Sequence, residues 1–279
     1  MKAGRLISGR YRLGEQLAAG GTSQVFRAED ELLGELVAVK MLHPVLNGSA
    51  HQRERFAREI KTMRALVHPN IVQITDAGAT KQGVPYMVQE FIDAPLLHDV
   101  FGGMSLDSDV YLPIVLQIAS ALEFCHGRDI VHRDLKPTNV FVLKSEDGQN
   151  HVKITDFGIA KLMEEPAITL NGMMAGTPGY MAPEYIRGDD LTAQVDIYSL
   201  GVILYELTTG LHPFPDSTAD GLMRAHASIL PESPRESRPS LDLRLTQFIL
   251  RCLEKLPENR PPGATGFLAE LRSLTGAVS

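Results

Sequence analysis

Apolar and polar residues alternate with a period of two between residues 11 and 41, which predicts β-strands in this part of the chain. In the run Val37-Ala38-Val39-Lys40, successive side chains should point to opposite faces of a strand. Ala38 and Lys40 then share one face, and the two valines share the other. A small residue beside a lysine suits a nucleotide, with Ala38 against the base and Lys40 reaching the phosphates.

A helical period interrupts the strands between residues 52 and 66, where apolar residues recur at intervals of three and four. This pattern predicts one helix, which ends at His68-Pro69. Strand-like runs return at residues 71–75 and 85–91. The front of the chain is therefore predicted to be a sheet with one helix.

Later in the chain the apolar spacing is mainly helical. Residues 109–126 indicate a long buried helix, in which Pro113 predicts a kink or a later start because proline lacks an N–H donor. Two further helices are predicted at residues 194–208 and 243–254. The proline-rich segment 212–240 is predicted to be a loop with one short helix.

The strand-rich front and helix-rich back predict two lobes with a boundary near residues 92–95. The chain has 279 residues, of which 44% are hydrophobic and 22% charged, as in globular proteins that bury a core. Its formal net charge of −7 argues against a nucleic-acid or anionic-membrane binder. The most apolar segment, residues 197–207, is too short to cross a bilayer, so no membrane span is expected.

Cys125 and Cys252 are too few for a disulfide framework, and both lie in helical patterns. We expect reduced core thiols and a cytoplasmic location. The nine histidines and two cysteines show no metal-ligand spacing, so a zinc site is not expected.

The candidate chemistry is concentrated in His132-Arg133-Asp134-Leu135-Lys136-Pro137-Thr138-Asn139, which Asp156-Phe157-Gly158 follows after a spacer. This order of acid, lysine, amide and second acid suits transfer of a phosphoryl group from a metal-bound nucleotide to a hydroxyl. Asp134 can accept the hydroxyl proton, and Lys136 can offset charge on the transferring group. Asn139 and Asp156 supply the hard oxygen ligands that Mg²⁺ takes.

These residues match the motif order of protein kinases, and the chain resembles a eukaryotic-like serine/threonine protein kinase of the bacterial branch. The resemblance covers residues 10–273, and it rests also on Val37 to Lys40, Glu59, Gly176 to Glu184, Asp196 to Gly201 and Arg260. It implies an α+β bilobal kinase fold. A small antiparallel β-sheet N-lobe with one helix would span 10–91, a hinge 90–95, and a larger, mainly helical C-lobe 96–273.

The resemblance also implies the site residues. Catalytic roles fall to Asp134, Lys136, Lys40, Glu59 and Thr177, with Glu59 orienting Lys40 and Thr177 bonding Asp134 and Lys136. The nucleotide-binding residues would be Leu17, Ala18, Gly20, Gly21, Ser23, Val25, Ala38, Lys40, Gln89, Glu90, Ile92, Asn139, Phe141 and Asp156. Adenine would bond the backbone of Glu90 and Ile92 and lie between Val25, Ala38 and Phe141. Asn139 and Asp156 would hold the metal.

Three positions depart from the family. The phosphate-covering loop keeps only Gly20, because Ala18 and Ser23 replace the other two glycines. Small residues preserve close approach to phosphate better than the backbone freedom of glycine, so we expect nucleotide binding to survive. Gln89 lies behind the adenine pocket, where the family more often has an apolar residue or threonine. We favour a side chain satisfied by nearby backbone over a ligand-selecting role.

Arg133 precedes the proposed base, and in the family that arginine marks switching by phosphorylation of the activation segment. Lys161 would add a second cation. The candidate phosphosite is Thr169, and autophosphorylation there is a hypothesis.

Other residues are expected to have structural roles. His132 should pack under Phe157, with Met63 and Ile74 completing a hydrophobic column, and not act as a base. Asp196 should bond backbone near Arg133. Arg260 is expected to pair with Glu184.

The resemblance implies an ATP-dependent kinase that uses Mg²⁺, with Mn²⁺ as a substitute, and phosphorylates serine or threonine of proteins. Two alternatives stay open: a pseudokinase docking module, which only Ala18 favours, and a kinase-fold small-molecule phosphotransferase, which the segment 176–184 and Arg260 oppose. The expected partners are protein substrates and, by analogy with relatives, a second copy through the N-lobe. The chain is either a whole kinase or an excised catalytic domain.

Overall fold

The computed structural model of the chain describes residues 4–20, 23–42, 60, 63–145, 148–157, 178–216 and 218–276. These residues fall into two compact units, and the change from one to the other occurs between Asp93 and Ala94. We call the first the strand unit and the second the helical unit. Both are built as an α+β kinase fold requires, one around an antiparallel sheet and one around helices.

The strand unit contains one six-stranded antiparallel sheet with the strand order β1-β2-β3-β4-β6-β5. The strands are β1 (Leu6–Ile7), β2 (Tyr11–Ala19), β3 (Ser23–Asp30), β4 (Glu35–Leu42), β5 (Ile74–Ala79) and β6 (Pro85–Glu90). The strand predicted at 71–75 in fact begins at Ile74. Residues before it form a turn, in which the backbone N–H of Ile71 donates to the carbonyl of His68 at 3.1 Å.

The alternation in β4 is confirmed. Val37 and Val39 join the buried cluster of the sheet, which also contains Ile7, Tyr11, Leu13, Phe26, Ala28, Met41, Val84, Tyr86 and Val88. Ala38 pairs with Arg27 and Gln89 on the neighbouring strands, and Lys40 pairs with Val25 and Met87. Of the helix predicted at 52–66, Ile60, Met63 and Arg64 are described and helical, Ala65 and Leu66 are described and lie beyond the helix, and the other residues lie outside the described range.

The helical unit contains α1 (Leu97–Phe101), α2 (Ser108–His126), α3 (Pro183–Arg187), α4 (Gln194–Thr209), α5 (Ala219–Ser228), α6 (Pro234–Ser237), α7 (Leu243–Cys252) and α8 (Gly263–Thr275). A β-hairpin joins β7 (Val140–Lys144) to β8 (Asn150–Ile154). Three 3₁₀ turns lie at Pro137–Asn139, Pro178–Tyr180 and Pro257–Asn259. Cys125 and Cys252 were expected to be reduced thiols in the core. This prediction is confirmed, since both thiols are free and buried.

The prediction of a single short helix within 212–240 is wrong, because α5 and α6 both lie there. Each begins with a side-chain cap: the Thr218 hydroxyl accepts from the N–H of Gly221, and the Ser233 hydroxyl accepts from the N–H of Arg235. Pro234 occupies the first position of α6, where proline starts a helix instead of ending one.

Helix α2 begins at Ser108 and continues through Pro113, so of the two predicted alternatives the later start is wrong and the kink stays a prediction. Pro113 lies inside the helix and leaves the carbonyl four residues earlier without its usual donor. Packing offsets this loss, because Ile114, Ile118 and Leu122 are fully buried on the same helix. Among the described residues α2 is also long and apolar enough to cross a membrane by length and composition alone, a test that buried core helices pass too.

Helix α4 is the core of the helical unit, and every residue from Val195 to Thr208 is buried. Its polar side chains therefore need partners inside the protein. The Thr208 hydroxyl donates to the carbonyl of Leu204 at 2.8 Å. Asp196, Ser199 and Glu206 bond to segments outside the helix.

The pair between Arg260 and Glu184 is confirmed and buried. The guanidinium donates to both carboxylate oxygens, at 2.6 and 2.8 Å, and the two side chains are 0% and 3% exposed. Arg260 also donates to the carbonyls of Gln194 and Glu254. This arginine therefore ties the start of α3 to the start of α4.

We expect Arg260→Met to lower the free energy of unfolding by about 3–5 kcal/mol, because Glu184 would be left charged and buried. Urea unfolding measures the change. Arg187→Met is the matched control: it removes a guanidinium that pairs with Asp189 on the surface, and it should change stability by less than about 1 kcal/mol. Equal effects of the two substitutions would contradict the assignment.

Candidate active site

The segment from His132 to Asn139 is held in place by Asp196. The backbone N–H groups of His132 and Arg133 donate to the two oxygens of this carboxylate at 2.8 and 2.9 Å, and Nε2 of His126 lies 2.8 Å from it. Arg133 has a φ of 64°, in the left-handed region that a non-glycine residue enters at an energetic cost. The predicted role of Asp196 is confirmed.

Asp196 stays ionised although it is buried. Burial alone would raise the pKa of its carboxyl, but the hydrogen bond from His126 and the bond from the His132 N–H together lower this pKa below its ordinary value. A carboxylate that accepts three hydrogen bonds is a rigid anchor for the backbone beside Asp134.

His132 bridges two parts of the site. Its Nδ1 accepts from the N–H of Asp134 at 3.2 Å, so the ring proton lies on Nε2, which donates to the carbonyl of Thr155 at 3.0 Å. Burial lowers the pKa of His132, which favours this neutral ring. The ring also packs on Phe157 at a centroid distance of 4.5 Å, as expected. Met63 and Ile74 belong to the strand unit, so their part of the column stays a prediction.

Three predicted catalytic-loop residues form one interlocked group. Nζ of Lys136 lies 3.1 Å from Oδ2 of Asp134. The amide of Asn139 donates to the carbonyl of Asp134 at 2.8 Å and to its Oδ2 at 3.1 Å. The 3₁₀ turn Pro137–Asn139 brings the side chain of Asn139 back to Asp134. It is closed by the N–H of Asn139, which donates to the carbonyl of Lys136.

The hairpin of β7 and β8 brings Asn139 and Asp156 to the same end of the ladder. Val140 pairs with Ile154, and beyond this pair the N–H of Thr155 donates to the carbonyl of Asn139 at 2.9 Å. Because the amide nitrogen of Asn139 faces Asp134, its Oδ1 is the oxygen that can bind a cation. An amide oxygen and a carboxylate fit Mg²⁺, which keeps few protein ligands and binds substrate phosphates.

The described residues contain no group of three or more histidine, cysteine or acidic side chains that could hold a metal. The pair Asn139 and Asp156 is consistent with an ion that shares its shell with a nucleotide.

In the strand unit, the candidate phosphate loop joins β2 to β3. Ala18 pairs with Val25 across this hairpin, and the N–H of Gly20 donates to the carbonyl of Ser23 at 2.9 Å. Ala18 does not have a positive φ, so this position does not need glycine for its backbone. The side chain of Leu17, which precedes it, is 45% exposed.

The candidate adenine residues of the strand unit lie at the end of β6. Gln89 is buried, and the predicted backbone partner of its side chain stays a prediction. Glu90 exchanges two hydrogen bonds with Gln73: its carboxylate accepts from the Gln73 N–H, and its own N–H donates to the Gln73 carbonyl. Ile92 follows and is partly exposed. Phe141 belongs to β7 of the helical unit, is partly exposed, and pairs with Leu96.

Five candidates lie outside the described residues: Gly21, Glu59, Lys161, Thr169 and Thr177. Their roles stay predictions.

A protein-family model described as a protein kinase domain matches residues 11–270. The chain belongs to the protein kinase family.

Curated relatives indicate the branch of the family. The serine/threonine-protein kinase pkn3 of Myxococcus xanthus is 37% identical over 278 residues, which cover 97% of this chain and 51% of that protein. The serine/threonine-protein kinase PknB of Mycobacterium leprae is 36% identical over 270 residues, which cover 95% of this chain and 43% of that protein. The chain is thus a eukaryotic-like serine/threonine kinase domain of bacterial type, and it spans about half or less of the length of these relatives.

Solved structures agree with the bilobal α+β kinase fold. The PknI kinase domain of Mycobacterium tuberculosis superimposes with a TM-score of 0.77 at 25% identity, covering 98% of this chain and 99% of that one. Rad53 1-466, solved in complex with AMP-PNP, gives a TM-score of 0.77 at 28% identity, covering 94% of this chain and 65% of that one.

The kinase domain has a further acid that the sequence analysis did not single out. Glu206 lies in the buried face of α4, and the hydroxyl of Tyr180 donates to its two carboxylate oxygens at 3.0 and 2.8 Å. Tyr180 belongs to the turn Pro178–Tyr180, within the segment 176–184 that by its resemblance to the family is expected to bind the substrate. The signal was an acid within the apolar run 197–207, since such an acid needs a partner.

Burial raises the pKa of Glu206 to about 7, although the hydrogen bond from Tyr180 opposes this shift. Folded protein therefore holds a proton that the unfolded chain releases near its ordinary carboxyl pKa. The stability contributed by this proton is present at low pH and is lost as the pH rises toward 7.

We compare the free energy of unfolding of native protein with that of Glu206→Gln. We expect the native value minus the variant value to decrease between pH 5 and pH 8. The glutamine mimics the protonated acid and keeps the bond to Tyr180, so its stability lacks this titration. The expected drop is up to about 1.4 kcal/mol for each unit by which the folded and unfolded pKa values differ. Urea unfolding at several pH values measures it. Glu236→Gln, an exposed acid, is the control, and a pH-independent difference for Glu206→Gln would contradict the prediction.

Proposed function

We propose that this kinase domain is an active enzyme that transfers the γ-phosphoryl group of ATP to serine or threonine hydroxyls of proteins. One observation carries the proposal: Asp134, Lys136 and Asn139 are interlocked by hydrogen bonds, and the β7–β8 hairpin brings Asp156 to the same end as Asn139. A proton acceptor, a cation and two oxygen ligands are what phosphoryl transfer to an alcohol needs.

In this proposal the carboxylate of Asp134 orients the acceptor hydroxyl and takes its proton. Lys136, within 3.1 Å of that carboxylate, offsets the charge on the transferring group. Asn139 and Asp156 would hold Mg²⁺, with Mn²⁺ as a substitute, and the ion would neutralise phosphate charge. The complex of the similar protein Rad53 with AMP-PNP supports ATP as the nucleotide. Lys40, oriented by Glu59, would bind the α- and β-phosphates.

The pseudokinase alternative rested on Ala18. The φ of Ala18, which is not positive, weakens it, because alanine is accommodated opposite Val25 without the strain of a left-handed backbone. The buried pair of Arg260 and Glu184, which anchors a peptide-positioning segment, argues against a small-molecule phosphotransferase.

We also propose a cytoplasmic location and dimerisation through the N-lobe. Two buried free thiols support the cytoplasm. Dimerisation through the N-lobe rests on the resemblance alone.

We expect Asp134→Asn to lower kcat by roughly 10²–10⁴-fold, because asparagine cannot accept the proton. Transfer of labelled phosphate from ATP to myelin basic protein measures the rate, and fluorescence of a labelled ATP analogue should show retained nucleotide binding. Asp129→Asn makes the same chemical change at an exposed residue with a φ of 58°, which asparagine tolerates, and should leave the rate unchanged. Substantial turnover by Asp134→Asn would refute the assigned base. No transfer by native protein would favour the pseudokinase.

We also propose that the domain phosphorylates itself at Thr169 and that Arg133 binds this phosphate. Thr169→Ala should then reduce activity roughly tenfold or more, which is the effect of losing one charge-assisted hydrogen bond. Mass spectrometry of native protein after incubation with ATP tests the modification. Thr265→Ala, in the exposed face of α8, is the control. Full activity of Thr169→Ala protein purified without phosphate would count against the hypothesis.

A further inference from the structure

The turn Pro178–Tyr180 is tied to the core by three side chains. Two of them belong to α4: the Ser199 hydroxyl donates to the carbonyl of Tyr180 at 2.8 Å, and Glu206 accepts from the Tyr180 hydroxyl. The third is His212, whose Nε2 lies 2.7 Å from the carbonyl oxygen of Gly179. The turn is thus fixed at its backbone and at its tyrosine side chain.

The end of α4 brings His212 to this position. Gly210 caps the helix with a φ of 77°, and a β-carbon there would lie 2.8 Å from the backbone nitrogen of Ser105. The chain can therefore reverse sharply two residues before His212. The imidazole then also packs edge-on against the ring of Tyr180, at a centroid distance of 5.9 Å.

The hydrogen bonds of His212 place a proton on Nε2. A carbonyl oxygen only accepts, so Nε2 carries a proton and donates to Gly179. Nδ1 lies 3.2 Å from the backbone nitrogen and 3.0 Å from the carbonyl oxygen of Phe214. In the neutral ring Nδ1 accepts from the N–H, and in the charged ring it donates to the carbonyl. Both states keep the bond to Gly179.

A rigid aromatic floor supports the ring of His212. His226 is fully buried, its ring centroid is 5.6 Å from that of His212, and its Nδ1 lies 2.8 Å from the hydroxyl of Tyr198. Phe214 packs on His226 at 4.7 Å. The imidazole of His212 therefore has little freedom to turn away from the turn.

Gly179 permits this approach. A β-carbon at position 179 would lie 3.1 Å from Nε2 of His212, closer than most real contacts of a β-carbon. Any larger residue at 179 would push the imidazole away from the carbonyl it holds. Gly179 and His212 thus form one matched pair.

We propose that His212 is a positioning residue for protein acceptors: it fixes the Gly179 carbonyl and thereby the turn Pro178–Tyr180 against which the acceptor segment binds. The inference rests on the proposed function, because it concerns binding of the phosphate acceptor. It predicts that loss of the clamp weakens binding of the acceptor and leaves binding of ATP unchanged, since the hydrogen bonds of the His212 ring go to the turn and to the backbone of Phe214.

The test compares His212→Ala, His212→Gln and native protein in steady-state transfer to myelin basic protein. We expect His212→Ala to raise the acceptor KM roughly 5–30-fold, the effect of losing one buried hydrogen bond, with an unchanged KM for ATP. Nε2 of glutamine can replace Nε2 of the imidazole, so His212→Gln should recover most of the loss. His98→Gln, at an exposed histidine of α1, is the matched control.

A second set of variants protects the test against a folding defect. Gly179→Ala should raise the acceptor KM by displacing the imidazole. In the double variant Gly179→Ala/His212→Ala the rise should be smaller than the product of the two single rises, because both remove the same bond. Thermal unfolding of each variant checks that it is folded.

The outcomes separate the two proposals. Absence of transfer by native protein would overturn the proposed function. If native protein is active and His212→Ala has the same KM for the acceptor as native protein, the proposed role of His212 would be overturned. Equal rises of the acceptor and ATP KM values, no recovery by glutamine, or independent effects in the double variant would also overturn it.

Discussion

The helical unit depends on one carboxylate. Asp196 is fully buried, and leaving it unpaired would cost several kcal/mol. Hydrogen bonds to a charged group contribute roughly 1.5–3 kcal/mol each, so the three donors around it can offset its desolvation. Two of these donors are backbone N–H groups of His132 and Arg133. The requirement to satisfy Asp196 therefore also imposes the left-handed conformation of Arg133 and the position of Asp134 after it.

Helix α4 extends this constraint from the catalytic loop to the acceptor side. Asp196, near its N-terminus, holds the loop, while Ser199 and Glu206 hold the turn Pro178–Tyr180. A buried helix cannot shift without disturbing close packing on all its sides. The proposed base and the proposed acceptor-binding turn thus share one rigid support, and their spacing is set by the rise along a single helix.

The sequence predicted what local patterns encode. The face shared by Val37 and Val39 follows from period-two alternation, and the roles of His132 and Asp196 follow from motif order. It left open whether α2 passes through Pro113 or starts after it, because the pattern does not show that full burial of Ile114 and Ile118 outweighs one lost hydrogen bond. Glu206 and His212 were missed for a different reason. Their partners, Tyr180 and Gly179, lie 26 and 33 positions away, and only the fold brings them together.

Stability alone does not explain the buried acidic groups of this kinase domain. Replacing a buried ion pair with apolar residues of similar volume is often neutral or stabilising, so Asp196, Glu206 and the pair Arg260–Glu184 are not needed for a well-packed core. Each holds a segment that apolar contacts would leave free to slide, because hydrogen bonds fix direction and dispersion forces do not. Their common property is that they orient backbone or a tyrosine next to the proposed chemistry. The polar interior of α4 is therefore best understood as a positioning device, and its cost in desolvation as a consequence of the reaction that the domain is proposed to catalyse.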